Sequence, residues 1–422
     1  MAVENKNILV YADWEEIGYP APMGELISVH VRGKEVFSFE YSTEWLGSAH
    51  ATVLDPDLQL YGGVQYVRED KPNFGIFLDS APDRWGRVLM KRRAAILARQ
   101  QKEKPPTLYE SDFLLGVHDL YRMGGLRFKL DRNGDFLSNE HSMAAPPFTS
   151  IRELEEASLR LEKSKEADDR EALKWINLLL APGASLGGAR PKASVRDMKG
   201  HLYIAKFPST NDEWDTGAWE KVSMEIAALC GIRVTSCEAR RFSSRQHTFL
   251  SRRFDRTANG DRIHFASAMT LLGYNDGADF HDGVSYLEIA AFLMRNGANV
   301  QRDLEELWRR IVFSICIKNT DDHLRNHGFL LSQQGWYLSP LYDVNPFPDG
   351  TGLTLNISDT DNSLDLDLAR SVAPIFRISA QAADRMTKEI LSAVSNWQQI
   401  AENIGIPRKE IEMMAPAFIH ER

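Results

Sequence analysis

Asp321 and Asn326 stand five positions apart in the segment NTDDHLRNH, and Asp343 follows 17 residues later in LYDVNP. An amide oxygen and a carboxylate are hard oxygen donors, a set that suits Mg²⁺. A second carboxylate nearby could position and deprotonate an attacking hydroxyl. Those are parts that phosphoryl transfer requires, provided that something else in the chain holds the phosphates. A capped turn uses the same residue types, so the loop alone does not decide the matter.

The phosphate side is found upstream. SLGGARPKAS (185–194) pairs adjacent glycines with Lys192, and such a loop can bring backbone N–H groups close to phosphate oxygens. It is not a Walker A sequence, because Lys192 does not directly follow a glycine. Fourteen residues on, Lys206 sits inside the apolar run LYIAKFP. Burying such a lysine is costly unless an anion pairs with it. Protein kinases place a phosphate-binding lysine on a strand and orient it with a helix glutamate, a part that Glu220 could play. Their catalytic loop also has the D-x-x-x-x-N spacing of Asp321 and Asn326.

Two other chemistries share these residues. Gly183-Ala184-Ser185-Leu186-Gly187 fits the G-x-S-x-G nucleophile elbow, but an elbow needs a strand before it and a helix after it. Here Pro182 and a helical pattern precede it, and Pro191 and a strand pattern follow. His323 and His327 have a zinc-type spacing, but H-L-R-N-H lacks the glutamate after the first histidine and leads into a strand pattern.

The elements that must position these groups read as follows. NILVYADW, LISVHVRG and EVFSFEY are strand patterns, and APDRWGRVLMKRRAAILARQ is a helix with an acidic start and a basic end. GGLRFKL reads as a strand and DRNGDF (131–136) as a hairpin turn. Helical periodicity runs over 151–180, a turn-rich segment over 181–197, and a strand over 201–209. A helix over 216–231 and a strand over 247–256 come next. SYLEIAAFLMRN and DLEELWRRIVFSICI are helices, GFLLS and GWYLSPLYDV short strands, and two helices close the chain. The expected fold is α+β, a protein-kinase-like two-lobed plan with a small β-rich lobe, a large helical lobe and an added β-rich N-terminal subdomain. The segments are 1–134, 135–256 and 257–422.

Composition bounds the function. A net charge of −9 and a pI near 5.7 argue against broad, salt-driven nucleic-acid binding by this chain, although Lys91, Arg92 and Arg93 form a local basic patch. No apolar run is long enough to cross a bilayer, and MAVENKNILVYADW lacks a signal-peptide pattern. The 3 cysteines form no CxxC pair, which suggests reduced thiols packed as small hydrophobes in a cytoplasmic protein.

FLDSAPDRWGRVLMKRR, SLGGARPKAS, LYIAKFP, LSRRFDR, NTDDHLRNHGF and LSPLYDVNP, in that order, resemble the HipA serine/threonine kinases of bacterial toxin–antitoxin modules. The likeness covers most of the chain. It implies ATP and Mg²⁺ as cofactors, with Asp321 as catalytic base beside His323 and Arg325, and Asn326 and Asp343 as metal ligands. Gly187, Gly188, Ala189, Arg190, Pro191 and Lys192 would form the phosphate loop. Lys206 would contact phosphates, and Glu220, Arg252, Arg253, Phe254 and Tyr342 would complete the nucleotide site. Ser185 would be the autophosphorylation site, where nearly two added negative charges would repel a phosphate cradle. The resemblance further implies a protein substrate among translation components, such as an aminoacyl-tRNA synthetase, and growth arrest. It also implies a helix-turn-helix, HipB-like antitoxin that carries most of the contact to operator DNA. A catalytically weak co-repressor with that antitoxin is the alternative. Arg252 stands where the best-known member has an acidic residue, and LGSAHATVLDPD replaces the family's usual serine/leucine-rich stretch.

Overall fold

The structure is a computed structural model that describes residues 5–138, 147–163, 169–180, 188 and 190–419. Its contacts group the chain into two compact units: Met1–Thr210 with Arg253–Ala266, and Asn211–Arg252 with Ser267–Arg422. Each is described by itself.

The first unit is built on a five-stranded antiparallel sheet of order β4-β3-β2-β1-β5. Its strands are β1 (Lys6–Ala12), β2 (Ala21–Val31), β3 (Lys34–Tyr41), β4 (Gln65–Tyr66) and β5 (Leu126–Lys129). The period-2 pattern places Ile8, Val10 and Ala12 of β1 inward with Leu26, Phe37, Phe39 and Phe128. Phe77 closes this core, its ring 5.6 Å from that of Phe39 and 6.0 Å from that of Phe128. The hairpin read at DRNGDF forms only in part. Asp131 accepts from the Asn133 and Gly134 amides, but no strand returns among the described residues. Phe136 instead meets Tyr11 edge-on at 5.3 Å and lies under the Arg127 guanidinium at 3.6 Å. That aromatic and cation–π packing replaces a second strand.

Helix α1 (Arg84–Gln101) starts at Asp83, whose carboxylate accepts from the Gly86 amide, and stops at Lys102 in the left-handed region. It buries Trp85, Leu89 and Ile96. Helices α2 (Ile151–Lys163) and α3 (Asp169–Leu180) follow, and Arg93 of α1 donates to Asn177 of α3 at 3.0 Å. An antiparallel hairpin, β6 (Lys192–Arg196) and β7 (Leu202–Lys206), ends the first stretch.

The returning segment 253–266 is stitched in by buried charge. Asp255 is fully buried, accepts from Arg253, Arg256 and the Gly124 amide, and sits well below the ordinary carboxylate range. Burial would raise its pKa, but the two guanidiniums outweigh that. Arg262 donates to the Asp119 carbonyl at 2.6 Å, and Arg127 bridges Asp119 and Asp13.

In the second unit, α4 (Thr216–Leu229) begins at Asp215, which also holds the His247 ring at 2.6 Å. The hairpin of β8 (Cys237–Arg240) and β9 (Thr248–Arg252) follows, then α5 (Tyr286–Asn296) and α6 (Val300–Ile317). A second hairpin joins β10 (Gly328–Ser332) and β11 (Gly335–Leu338), shorter than its sequence pattern because Pro340 follows. The C-terminal part has more helices than the pair anticipated: Leu366–Val372, α7 (Ala380–Val394), α8 (Trp397–Ile404) and Arg408–Met414. Left-handed Arg377 and Gly405, with Pro374 and Pro407 nearby, break the run. Trp397 stacks on Phe418 at 4.3 Å in this core.

Cys230 and Cys316 are buried, and burial pushes both thiols up to about 12. Among the described residues, no helix is long and apolar enough to cross a membrane.

Candidate active site

The loop bearing Asp321 starts where α6 stops. Lys318 caps the helix at a left-handed φ of 49°, and the Asn319 amide donates back to the Ser314 carbonyl. Asn319 is buried, and its side-chain oxygen accepts the Asn345 amide at 3.3 Å. Two residues further, the chain presents Asp321 outward and Asp322 inward: Asp321 is exposed and Asp322 is 3% exposed. A single 3₁₀ turn, Leu324–Asn326, then brings Asn326 back. Its side-chain NH₂ donates to the Asp321 backbone carbonyl at 2.9 Å. The other end of that amide, Oδ1, is buried and has no hydrogen-bond partner among the described residues.

Asp322 anchors the loop from below. It accepts the Tyr286 hydroxyl at 2.6 Å and the Ser314 hydroxyl at 3.2 Å, and lies 3.1 Å from His327 Nε2. The last contact is close enough for an ion pair but too poorly aligned for a hydrogen bond, since Nε2 has none. Burial would raise the Asp322 carboxyl. His327, the Tyr286 hydroxyl and His323 outweigh it and hold the group low. Burial, then Asp322, push the Tyr286 phenol well above its ordinary value. Sequence reasoning missed Asp322, because nothing in the pair Asp321-Asp322 says which carboxylate turns inward.

The segment carrying Asp343 is tied to the same loop. The Tyr342 hydroxyl donates to the Arg325 carbonyl at 2.6 Å, and the Asn345 amide reaches Asn319. Asp343 itself is half-buried with a φ of 56°, a left-handed conformation that an L-residue adopts at a cost. His323 lies half-buried, with Nδ1 lacking a hydrogen-bond partner among the described residues, and Arg325 pairs with Asp276 at 3.4 Å. His323 and His327 share no helix face, since His327 is extended and leads into β10.

The orphaned amide oxygen of Asn326 and the carboxylate of Asp343, on segments joined by the Tyr342–Arg325 hydrogen bond, are hard oxygen donors of the type that Mg²⁺ takes.

The first unit carries the lysines. Lys192 and Lys206 are Cα partners across β6 and β7, and they are 5% and 7% exposed. Lys192 Nζ lies 3.0 Å from Asp83 Oδ2, with both side chains sealed from solvent. Asp83 was legible in sequence only as a helix start. Gly188 is left-handed at φ 85°, and a Cβ there would stand 3.2 Å from Lys192 Nζ, so the loop backbone passes close to the ammonium. Arg190 is half-buried, and the buried Pro191 accepts the Phe207 amide at 2.9 Å. Ser185, Gly187 and Ala189, and with them the G-x-S-x-G elbow, lie outside the described residues.

Arg253 donates to Asp255 and to the Tyr121 and Arg122 carbonyls. Its guanidinium is spent on the protein, a structural task not read from the RRFDR segment. Phe254 lies beside Phe265 at 6.1 Å. In the second unit, Glu220 is 2% exposed on α4, and the half-buried Arg252 ends β9.

The model of the HipA-like C-terminal domain matches residues 184–412, more than half of the chain and all of the loop just described. The chain belongs to that family. A Haemophilus influenzae protein named "Putative kinase" is 28% identical over 194 residues, 41% of this chain and 56% of the relative. A Sinorhizobium fredii relative of the same description is 28% identical over 147 residues, 33% of each chain. The chain thus spans about half or less of the length of these curated relatives. The structure of Shewanella oneidensis MR-1 HipA, solved with HipB and operator DNA, matches with a TM-score of 0.66 at 16% identity. That match covers 97% of this chain and 94% of the other, so the α+β, HipA-type fold expected from sequence is the fold found.

Proposed function

We propose that this chain is an ATP-dependent serine/threonine protein kinase and the toxin of a toxin–antitoxin pair. The observation that carries the reading is the Asn326 amide: its NH₂ is fixed by the Asp321 carbonyl while its buried Oδ1 is left for a ligand. Family membership and the names of the relatives support it.

Asp321 takes the proton from a serine or threonine hydroxyl of the substrate. The hydroxyl oxygen attacks the γ-phosphorus, the bond to the β-bridging oxygen breaks, and ADP leaves. Asn326 and Asp343 hold Mg²⁺, which when bound neutralises phosphate charge. Lys206, with Lys192 and the loop from Gly187, binds phosphate oxygens, and Glu220 is the proposed helix glutamate of the nucleotide site. Arg252, Phe254 and Tyr342 belong to the nucleotide surroundings, and His323 and Arg325 shape the loop around the base. Asp322, bonded to Tyr286 and Ser314, fixes that loop from beneath.

Ser185 is the proposed site of autophosphorylation. The partner is a HipB-like antitoxin that grips operator DNA, as named for the Shewanella complex, and the acidic charge of this chain suits that division. A translation component such as an aminoacyl-tRNA synthetase is the proposed substrate.

Asp321→Ala tests the central assignment. Transfer from [γ-³²P]ATP should disappear and growth inhibition should be relieved; full activity would end the catalytic-base role. A wild-type chain that represses with its antitoxin yet turns over no ATP would favour the co-repressor reading. Mass spectrometry after incubation with Mg·ATP should find phosphate on Ser185.

A further inference from the structure

We propose that Asp83 is a positioning residue for the nucleotide site, holding the Lys192 ammonium aimed before any phosphate arrives. The inference rests on the reading of Lys192 as a phosphate ligand and adds a residue 109 positions away, outside the 184–412 family match.

The Asp83 carboxylate has two separate tasks. Oδ1 accepts the Gly86 amide at 2.8 Å and so caps α1, while Oδ2 lies 3.0 Å from Lys192 Nζ. The cap fixes the carboxylate on a rigid helix end. The second oxygen is therefore presented to the lysine at a set place and direction.

The surroundings make that second contact consequential. Trp85, Leu89, Met90, Val117 and Leu179 line a small cavity that Asp83 and Lys192 share, and both charged side chains are sealed from solvent. A lone ammonium buried there would be expensive without a counter-charge. Lys206 is the Cα partner of Lys192 across the hairpin, and like charges on facing positions destabilise a sheet. A fixed carboxylate on Lys192 offsets both costs. Gly188 lies beside the ammonium, since a Cβ there would stand 3.2 Å from Nζ. An ammonium has three donors, so it can keep Asp83 while a phosphate oxygen takes another.

The experiment measures binding of Mg·AMP-PNP to the full chain by calorimetry, for wild type, Asp83→Asn, Asp83→Glu, Lys192→Met and the double variant Asp83→Asn/Lys192→Met. Asparagine caps helices as well as aspartate does, so Asp83→Asn keeps α1 and removes only the charge. Binding should weaken about tenfold in Asp83→Asn, as expected for one charged hydrogen bond, and recover in part in Asp83→Glu. The double variant should bind no more weakly than Lys192→Met alone, because Asp83 acts through Lys192. Independent losses that simply add, or wild-type binding by Asp83→Asn, would overturn the proposal while leaving the kinase reading intact. A wild-type chain that binds no nucleotide would overturn both. Should Asp83→Asn fail to fold, the comparison passes to Asp83→Glu and the double variant. A folded double variant together with weakened binding by Asp83→Glu supports the pair, and unchanged binding by Asp83→Glu rejects it.

Discussion

The lysine hairpin of the first unit and the Asp321 loop of the second treat polar groups in opposite ways. On the hairpin, Lys192 already has its counter-charge, supplied by Asp83 at 3.0 Å. In the loop, Asn326 is anchored at one end and its Oδ1 has no hydrogen-bond partner among the described residues. The first arrangement pairs a charge that is sealed from solvent. The second keeps a ligand position open at the cost of an unsatisfied buried atom, which is of order 1–3 kcal/mol. The contrast implies that substitutions in the loop should cost activity, whereas those in the buried charges of the first unit should cost stability.

The largest expected effect tests the loop. Asp321→Ala should lower phosphoryl transfer by about 10²–10⁴-fold while leaving the thermal midpoint nearly unchanged, because the side chain is exposed. A large drop in the midpoint would erase the contrast. Next comes the first unit: Asp255→Asn should destabilise by about 3–5 kcal/mol in urea, since Arg253 and Arg256 would lose a buried counter-charge. Asn326→Ala should raise the Mg²⁺ needed for half-maximal turnover about tenfold to a hundredfold, and stability should hold or improve because a buried orphan oxygen is removed.

A smaller effect concerns pH. Burial pushes the His264 imidazole down to about 3 in the folded chain. The unfolded chain takes up that proton near its ordinary value of about 6.5. The neutral ring therefore stabilises the fold fully above about pH 6.5. That contribution is lost as pH falls toward 3, by roughly 1.4 kcal/mol per unit. His264→Gln, which keeps an acceptor for the Gly125 amide, should flatten this limb of a melting-temperature profile. The smallest effect is at Asp343, where glycine would relieve the left-handed backbone. Asp343→Gly should stay within about 1 kcal/mol of wild type in stability while losing metal-dependent turnover.

Legibility in the sequence followed distance and direction. The Asp321–Asn326 spacing is short, and only a few residue types can serve a metal and a base, so the candidate loop could be read directly. The strands β1 to β3 and helix α1 were legible because their apolar periods match 2 and 3.6. The Asp83–Lys192 pair was not, because its partners are 109 residues apart and Asp83 already has a sufficient explanation as a helix cap. Asp322 was hidden beside Asp321, since only burial separates them. RRFDR suggested a nucleotide contact, yet Arg253 is drawn into the Asp255 network, where burial makes an unpaired carboxylate intolerable.

The return of residues 253–266 to the first unit also bears on how the chain is made. Asp255 is needed by Arg253 and Arg256 and receives the Gly124 amide, so the first unit lacks a buried counter-ion until synthesis has passed residue 255. By then residues 211–252 of the second unit have already been synthesised, without the helices they will join. Neither unit can be completed during translation before part of the other exists. No single cut in the gene would yield both units intact.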